Sequence, residues 1–172
     1  MNRLEIRPVS MAHLDQLAAL LAQTVASGGS VGFMHPLSLD QAQGFWLKSL
    51  QDMEAGGRIV LGAFEGDRLA ATVSLVLAFP ENQPHRAEIA KMMTAVSYRG
   101  RGIARALMQA AEALALEHGK SHLVLDTAAE DGASGLYKKL GFIQAGIIPD
   151  FALTPHGRLS ATVLFWKSIS GS

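Results

Sequence analysis

The sequence predicts an α/β domain in which a mixed sheet of about six to seven strands is flanked by about four helices. Short β-rich runs alternate with longer stretches whose apolar residues recur at three- and four-residue spacing. Turn-forming segments rich in glycine separate these stretches. Hydrophobic residues make up 49% of the 172 residues, which suits one substantial core and argues against disorder. We therefore expect a single domain over residues 1–172.

The N-terminal half of the chain predicts one strand, two helices and two further strands. Apolar and polar residues alternate near the start, as they do in a half-buried strand. Two later stretches carry apolar residues on one helical face. The expected elements are a strand through Leu4 and Ile6 to Val9, a helix capped by Ser10, a glycine-rich loop at 27–34, a helix that starts at Ser38 or Asp40 and ends at Gly56-Gly57, and strands at Arg58 to Phe64 and Leu69 to Phe79.

The C-terminal half predicts alternating strands and helices, which completes the order β-α-α-β-β-β-α-β-α-β-β. Such an order indicates a sheet with helices packed on its faces. A loop at Pro149 to Arg158 is expected to be long enough to shape a pocket. The expected elements are a strand at Ala87 to Val96, a helix at Gly102 to His118, a strand at Ser121 to Asp126, a helix at Gly132 to Leu140, and strands at Phe142 to Ile148 and Ser160 to Lys167.

Charge is balanced over the whole chain but is concentrated locally. The 15 basic and 15 acidic residues cancel, so no global field attracts nucleic acid or an anionic membrane, and we expect neither as a partner. The segment from Arg86 to Arg105, however, contains five basic residues and one acidic residue, Glu88. That local excess favours a polyanionic cofactor.

The composition also predicts the compartment and argues against a metal site. No cysteine is present, which excludes disulfides, thiolate metal ligands and a cysteine nucleophile. The first residues are charged and alternating rather than signal-like, and no apolar run reaches about 18 residues. The six histidines show no metal-ligand spacing such as H-E-x-x-H. We expect a cytoplasmic protein that needs no metal.

A basic, glycine-punctuated turn leads from the strand at Ala87 to Val96 into the next helix. A helix N-terminus offers unpaired N–H groups and partial positive charge, which together bind phosphate. Gly100 and Gly102 allow a ligand to approach the backbone, while Arg99, Arg101 and Arg105 add positive charge. The turn matches neither G-x-x-x-x-G-K-[ST] nor G-x-G-x-x-G, which disfavours nucleotide hydrolases and dinucleotide-binding enzymes.

The pattern Arg-x-x-Gly-x-Ala from Arg99 to Ala104 resembles the Q/R-x-x-G-x-G/A pyrophosphate motif of the GCN5-related N-acetyltransferases, the GNAT superfamily. The resemblance implies the GNAT fold and acetyl-CoA as co-substrate. It also implies that the backbone at the end of the preceding strand pairs with the pantetheine arm. Ala104 replaces the more frequent glycine, a permitted variant. The implied cofactor-binding residues are Met92, Met93, Thr94, Arg99, Gly100, Arg101, Gly102, Ile103 and Ala104.

Two carboxylates are candidate bases for acetyl transfer, because an amine attacks a thioester only in its neutral form. Ala87-Glu88-Ile89 resembles the segment that carries the catalytic glutamate in histone-acetylating GNAT members, which implies that Glu88 is a base. The alternative is a solvated charge on a strand. Asp126, at the end of the next strand, is a second base, an amine-binding anion, or a cap of the turn at Thr127.

Tyr137 is the candidate acid that protonates the departing thiolate. The segment from Leu136 to Phe142 resembles the second GNAT motif, in which a tyrosine near the sulfur has that role. The alternative is a core tyrosine whose hydroxyl has a protein partner. No G-x-S-x-G elbow suggests an acyl-enzyme, so we expect direct attack in a ternary complex.

A narrower resemblance, to the tabtoxin-resistance acetyltransferases, covers most of the chain. It rests on the loop from Gly28 to Met34, on His85 to Ile89, on the phosphate turn and on segments near the C-terminus. It implies a small zwitterionic α-amino acceptor, such as a tabtoxinine-β-lactam-like amino acid, or another small amine. The expected acceptor contacts come from two loops and are Ser30, Val31, Phe33 and Arg158.

Two other functions fit the same resemblance. A protein N-terminal or lysine acetyltransferase would need an open groove instead of a closed pocket. A non-catalytic acyl-CoA-binding sensor would bind the cofactor but release no thiol with any amine. The sequence also allows a homodimer.

Overall fold

The computed structural model describes residues 3–170 and contains seven strands and four α-helices in that range. Short 3₁₀ turns precede two of the helices, at Met11–His13 and Val96–Tyr98. In chain order the elements are β1 (Leu4–Pro8), α1 (Leu14–Ala26), α2 (Leu39–Glu54), β2 (Arg58–Glu65), β3 (Arg68–Val76), β4 (Arg86–Thr94), α3 (Ile103–Glu117), β5 (His122–Ala128), α4 (Ser134–Lys139), β6 (Ile143–Leu153) and β7 (Leu159–Ser168).

All seven strands form one mixed sheet in the order β1-β2-β3-β4-β5-β7-β6. Every neighbouring pair is antiparallel except β4 and β5, which are parallel. The crossover between these two parallel strands is α3, as a parallel connection requires. The predicted α/β fold class, with about seven strands and four helices, is confirmed.

Helices cover both faces of the sheet. Strand β2 is apolar on both sides, since Leu61 and Ala63 face the α3 side while Val60 and Phe64 face α1 and α2. Trp46 of α2 is fully buried in this second layer. The chain therefore has two apolar cores separated by the sheet, and these cores hold the middle strands rigidly in place.

Of the two residues predicted to start α2, Ser38 and Asp40, Ser38 is the N-cap. The Ser38 hydroxyl accepts from the Gln41 N–H at 3.1 Å, and the Gln41 side chain accepts from the Ser38 N–H at 3.1 Å. This is a capping box, which satisfies two otherwise unpaired donors. Asp40 lies in the first turn, and Ser10 precedes the 3₁₀ turn that leads into α1.

Strands β4 and β5 are paired only at their beginning. Their register ends at Glu88 opposite Val124, although β4 continues to Thr94. On the other side of β4 the pairing with β3 is irregular between Thr72 and Ser74, next to Lys91, which has φ of +52°. A bulge of this kind bends a strand. The two parallel strands consequently diverge and leave a wedge in the sheet.

Two predicted boundaries are wrong. Strand β3 ends at Val76 rather than Phe79, and β6 runs through Pro149 to Leu153, so the first half of the predicted loop is strand. A proline is tolerated there because β6 is an edge strand and its register shifts between Ile148 and Ala152. Only a tight turn remains, closed by the Thr154 N–H donating to the Arg158 carbonyl at 2.7 Å.

None of the helices between residues 3 and 170 has the length and apolar character needed to cross a membrane.

Candidate active site

A cavity of about 890 Å³ occupies the wedge between β4 and β5. Its walls are the second half of β4, the turn into α3, the end of β5, α4, the loop at 27–32 and the facing ends of β6 and β7. Most of the residues predicted for the site line this one cavity. They are Ser30, Val31, Glu88, Met92, Met93, Thr94, Arg99, Gly100, Gly102, Ile103, Ala104, Asp126 and Tyr137.

Three predicted site residues lie outside the cavity lining. Arg101 is ion-paired with Glu65, with 3.3 Å between Nη2 and Oε1. Phe33 packs edge-on against Phe45, with 5.2 Å between ring centroids. Arg158 is 72% exposed and forms an ion pair with Glu130, which itself lines the cavity.

The turn before α3 leaves its backbone open to a ligand. Gly100 and Gly102 have φ of +73° and +75°, a backbone conformation that residues with side chains rarely adopt. A Cβ atom built at either position would meet no atom within 4 Å, so the space beside the turn is open. No side chain caps α3 and no acidic residue lies in its first turn. Arg99 and Arg105 line the same end of the cavity, where their charges add to the positive helix terminus. These features fit a pyrophosphate.

A hydrogen-bond network anchors this turn to the far side of the sheet. The Tyr98 hydroxyl donates to Glu65 Oε2 at 3.0 Å, and Arg101 pairs with the other oxygen. The hydrogen bond from Tyr98, followed by that from Arg101, lowers the pKa of the Glu65 carboxyl. Sequence reasoning missed both Tyr98 and Glu65, because residues 33 positions apart carry no local signal.

The second half of β4 presents a free edge to the cavity. Met93 and Thr94 pair with Thr72 and Ala71 of β3 on one side, but the β4–β5 pairing stops at Glu88 on the other. The N–H and C=O groups on that side are available to an extended ligand, as at a sheet edge. Arg99 Nε donates to the Thr94 carbonyl at 3.4 Å, which ties the phosphate turn to this edge.

The two candidate carboxylates stand on either side of the wedge. Glu88 is the last β4 residue paired with β5; its side chain is 37% exposed and contacts Arg86, with 3.6 Å between Nη1 and Oε2. Asp126 of β5 accepts a hydrogen bond from the Thr162 hydroxyl at 2.9 Å. Both carboxylates therefore face a shared space that an amine could enter.

Tyr137 is buried at the cavity wall. Its ring packs against Phe142 and Phe165, with centroid distances of 6.0 and 5.8 Å. Burial raises its pKa to about 12, with smaller contributions from the negative charges of Asp131 and Asp126. The phenol therefore holds its proton at neutral pH and can donate it to a developing anion.

Lys91 is a cavity residue that sequence reasoning did not identify as a site residue. It lies on the β4 bulge, and its ammonium is 5.6 Å from the Phe45 ring centroid and 6.0 Å from that of Phe33. Burial is the largest cause that lowers its pKa, while the charges of Asp126 and Glu88 act in the opposite direction. The feature of the sequence that could have identified Lys91 is a single lysine within an otherwise apolar part of the predicted strand.

The loop at 27–32 is held over the cavity by one polar contact to the opposite wall. The Ser30 N–H donates to Asp131 Oδ2 at 3.3 Å. Burial at the cavity wall raises the pKa of the Asp131 carboxyl, and the Ser30 N–H partly offsets this. The described residues contain no group of three or more histidine, aspartate or glutamate side chains placed to hold a metal ion.

Known structures share this architecture along almost the whole chain. The structure of yncA from Salmonella typhimurium with its cofactor acetyl-CoA has a TM-score of 0.83 and 17% identity, covering 99% of this chain and 96% of that one. A ribosomal-protein-alanine N-acetyltransferase from Brucella melitensis has a TM-score of 0.81 and 22% identity, covering 96% and 99%. A protein assigned as a phosphinothricin N-acetyltransferase has a TM-score of 0.79 and 20% identity, covering 98% and 100%. At these identities the likeness establishes the fold.

Family membership comes from the sequence. The model of the acetyltransferase (GNAT) family matches residues 32–142, which extend from just before α2 to the end of α4 and include β4, the phosphate turn and Tyr137. The chain belongs to the GNAT family of acetyltransferases and is an N-acetyltransferase that uses acetyl-CoA.

Proposed function

We propose that this chain transfers the acetyl group of acetyl-CoA to the amine of a small molecule by direct attack in a ternary complex. The acceptor is a small zwitterionic α-amino compound, such as a tabtoxinine-β-lactam-like amino acid, or another small amine. The observation that carries the proposal is the single cavity that joins the open phosphate turn, the free β4 edge, two carboxylates and Tyr137.

The donor end of the cavity suits acetyl-CoA. When bound, acetyl-CoA supplies an acyl group activated as a thioester. The turn from Arg99 to Ala104 would hold the pyrophosphate through backbone N–H groups and arginine charge. The free edge of Met92, Met93 and Thr94 would hold the pantetheine arm as an added strand.

Glu88 and Asp126 prepare the acceptor. A primary amine with a pKa near ~10 is mostly protonated at neutral pH, so it must lose a proton before it attacks. Either carboxylate can bind the ammonium and take that proton, directly or through one water molecule. The amine nitrogen then forms a bond to the acyl carbon as the carbon–sulfur bond breaks.

Tyr137 completes the transfer by donating its hydroxyl proton to the departing thiolate. Its pKa of about 12 keeps the phenol protonated before the reaction. Its burial between aromatic rings holds the hydroxyl in one position at the cavity wall. Product release and exchange with solvent restore the phenol.

The enclosing segments favour a small acceptor. Ser30 and Val31 lie over one side of the cavity, and the ends of β6 and β7 close another. Phe33 follows the loop that carries Ser30 and Val31, and it packs against Phe45 outside the cavity. Arg158 stays a predicted acceptor contact, although it is exposed and paired with Glu130.

We further propose a single cytoplasmic domain that forms a homodimer. The cysteine-free composition suits a reducing compartment. The edge strand β6 exposes apolar side chains that a second copy could cover, notably Ile143, Ile147 and Phe151. Sedimentation of the purified chain at rising concentration tests this: a sedimentation coefficient that stays at the monomer value contradicts the dimer.

A free-thiol release assay tests the proposed function. Acetyl-CoA is supplied with amino acids, amino-acid antibiotics, polyamines and peptides in turn. We expect thiol release with one or more small amines. Release only with peptides would replace this proposal with the protein-acetylating alternative, and binding of acetyl-CoA with no release from any amine would favour the sensor.

A further inference from the structure

The cavity contains a positive charge that the proposed chemistry leaves unused. Lys91 lines the cavity next to the 27–32 loop, and a Cβ atom placed on Gly32 would lie 3.4 Å from its Nζ. Between residues 3 and 170 its ammonium forms neither a hydrogen bond nor an ion pair. The ring centroids of Phe33 and Phe45 lie 6.0 and 5.6 Å from its Nζ.

Partial burial of Lys91 disfavours its charged form. Removing an ammonium from water is unfavourable unless an anion or a polar partner compensates. The backbone at Lys91 also has φ of +52°, a conformation that residues other than glycine, asparagine and aspartate seldom adopt. Lys91 itself belongs to neither apolar core, although its neighbours Met92 and Met93 pack against the first and second cores. Costs of this kind gather at sites that bind ligands.

The position of Lys91 matches one end of a zwitterion. Glu88 lies three residues before Lys91 on β4, and Asp126 lies across the wedge on β5. The negative charges of both raise the pKa of the Lys91 ammonium, although neither forms an ion pair with it. Among residues 3–170, the charge of Arg58 also acts on it and lowers its pKa. Glu88 and Lys91 thus line the cavity from β4, and Asp126 lines it from β5.

We propose that the Lys91 ammonium binds the carboxylate of the acceptor while Glu88 and Asp126 face its amine. The inference rests on the proposed acetyl transfer to a small acceptor and narrows that acceptor to amines bearing an α-carboxylate or a comparably placed anion. The rings of Phe33 and Phe45, which lie outside the cavity lining, approach the Lys91 ammonium from the other side. Arg158, which stays a predicted acceptor contact, is the alternative cation for this carboxylate.

The test compares amino acids with their α-carboxamides, each as acceptor in the thiol-release assay. The free energy of the ion pair is obtained from a double-mutant cycle, in which the carboxylate is removed from the acceptor and the ammonium from the enzyme. Wild-type kcat/KM should be about 10²-fold higher for the acid than for the amide. In Lys91→Gln this ratio should fall to within about threefold of one, while the affinity for acetyl-CoA stays unchanged.

Three further variants make the result specific. Lys91→Arg retains the charge and should keep most of the preference for the acid. Lys48→Gln removes an exposed lysine of α2 and should leave the preference as in wild type. Arg158→Gln decides between the two cations: if it abolishes the preference and Lys91→Gln does not, the inference is overturned.

The remaining outcomes separate this inference from the proposed function. Acetylation of small amines with equal efficiency for acids and amides overturns the role of Lys91 and leaves acetyl transfer intact. If no amine releases thiol, the proposed function fails. The role of Lys91 is then decided by calorimetric binding of the same acid and amide pairs to the CoA-bound protein. Binding of neither member of any pair, or no loss of acid binding in Lys91→Gln, overturns it.

Discussion

The two ends of the cavity that we propose for the acetyl donor and for the acceptor, the donor end and the acceptor end, are built in different ways. The donor end consists of consecutive residues, from Met92 to Ala104, and acts largely through backbone groups. The acceptor end combines side chains from the 27–32 loop, β4, β5 and α4. A shared cofactor can be bound by a fixed backbone geometry, whereas acceptor choice depends on side chains that distant segments bring together. Changes at the donor end should therefore abolish activity in general, and changes at the acceptor end should alter it selectively.

The largest effect is expected at the donor end, from Gly102→Glu. The new side chain enters the open space beside the phosphate turn, strains a backbone with φ of +75° and places negative charge where pyrophosphate would bind. Acetyl-CoA binding should be lost in calorimetry. Gly102→Asn is the matched variant, because asparagine tolerates this backbone conformation without the charge, and it should bind more tightly than the glutamate variant. A folded Gly102→Glu protein with unchanged affinity contradicts the assignment of the turn.

Tyr137→Phe should separate chemistry from binding at the junction of the two ends. The ring packing is kept while the proton donor is removed, so kcat should fall by about 10²-fold or more, with little change in the affinity for acetyl-CoA. Steady-state kinetics together with calorimetry provide the measurement. A kcat within a small factor of wild type would mean that water or another group protonates the thiolate.

The same substitution should also change stability at alkaline pH. The pKa of Tyr137 is raised from 10 to about 12 in the folded chain, so its stabilising contribution is complete below pH 10 and is lost as pH rises through 12. The loss attributable to this phenol is roughly 2 to 3 kcal/mol. Urea unfolding of wild type and Tyr137→Phe between pH 9 and 12 should show a steeper decline for wild type; parallel curves would contradict a buried phenol.

The smallest effect is expected at the acceptor end, from Asp131→Asn. The Ser30 N–H loses a carboxylate acceptor, which loosens the 27–32 loop over the cavity. KM for the acceptor should rise by about two- to tenfold, while KM for acetyl-CoA should stay the same. Glu117→Gln removes an exposed carboxylate at the end of α3, outside the cavity lining, and is the comparison. Equal increases in both KM values would show that the loop serves the donor end as well.

Local patterns predicted the fold class and the donor end. Helical spacing of apolar residues and glycine turns predicted the element order, and the sheet and helices confirm it. The phosphate turn was predicted because a helix N-terminus and two glycines act within a few residues of each other. The family and its use of acetyl-CoA followed from that same segment and are confirmed.

The predicted Pro149 to Arg158 loop shows where local patterns fail. Proline usually interrupts a strand, but β6 lies at the sheet edge and bulges there, so strand pairing continues to Leu153. Phe151, Ala152 and Leu153, which the sequence assigned to a loop, line the cavity from this strand, and the start of β7 lines it beside them. An edge position is a property of the assembled sheet and has no signature in the segment itself.

The sequence by itself determined the α/β architecture, the phosphate turn and the residue types able to move protons, because each depends on neighbours within a few positions. Tertiary structure decided the rest. The divergence of β4 from β5 created the cavity, distant contacts set the raised pKa of Tyr137, and the bulge at Lys91 directed a positive charge into the site. These features depend on burial and on the distances between charges, which exist only after segments far apart in the chain have packed together.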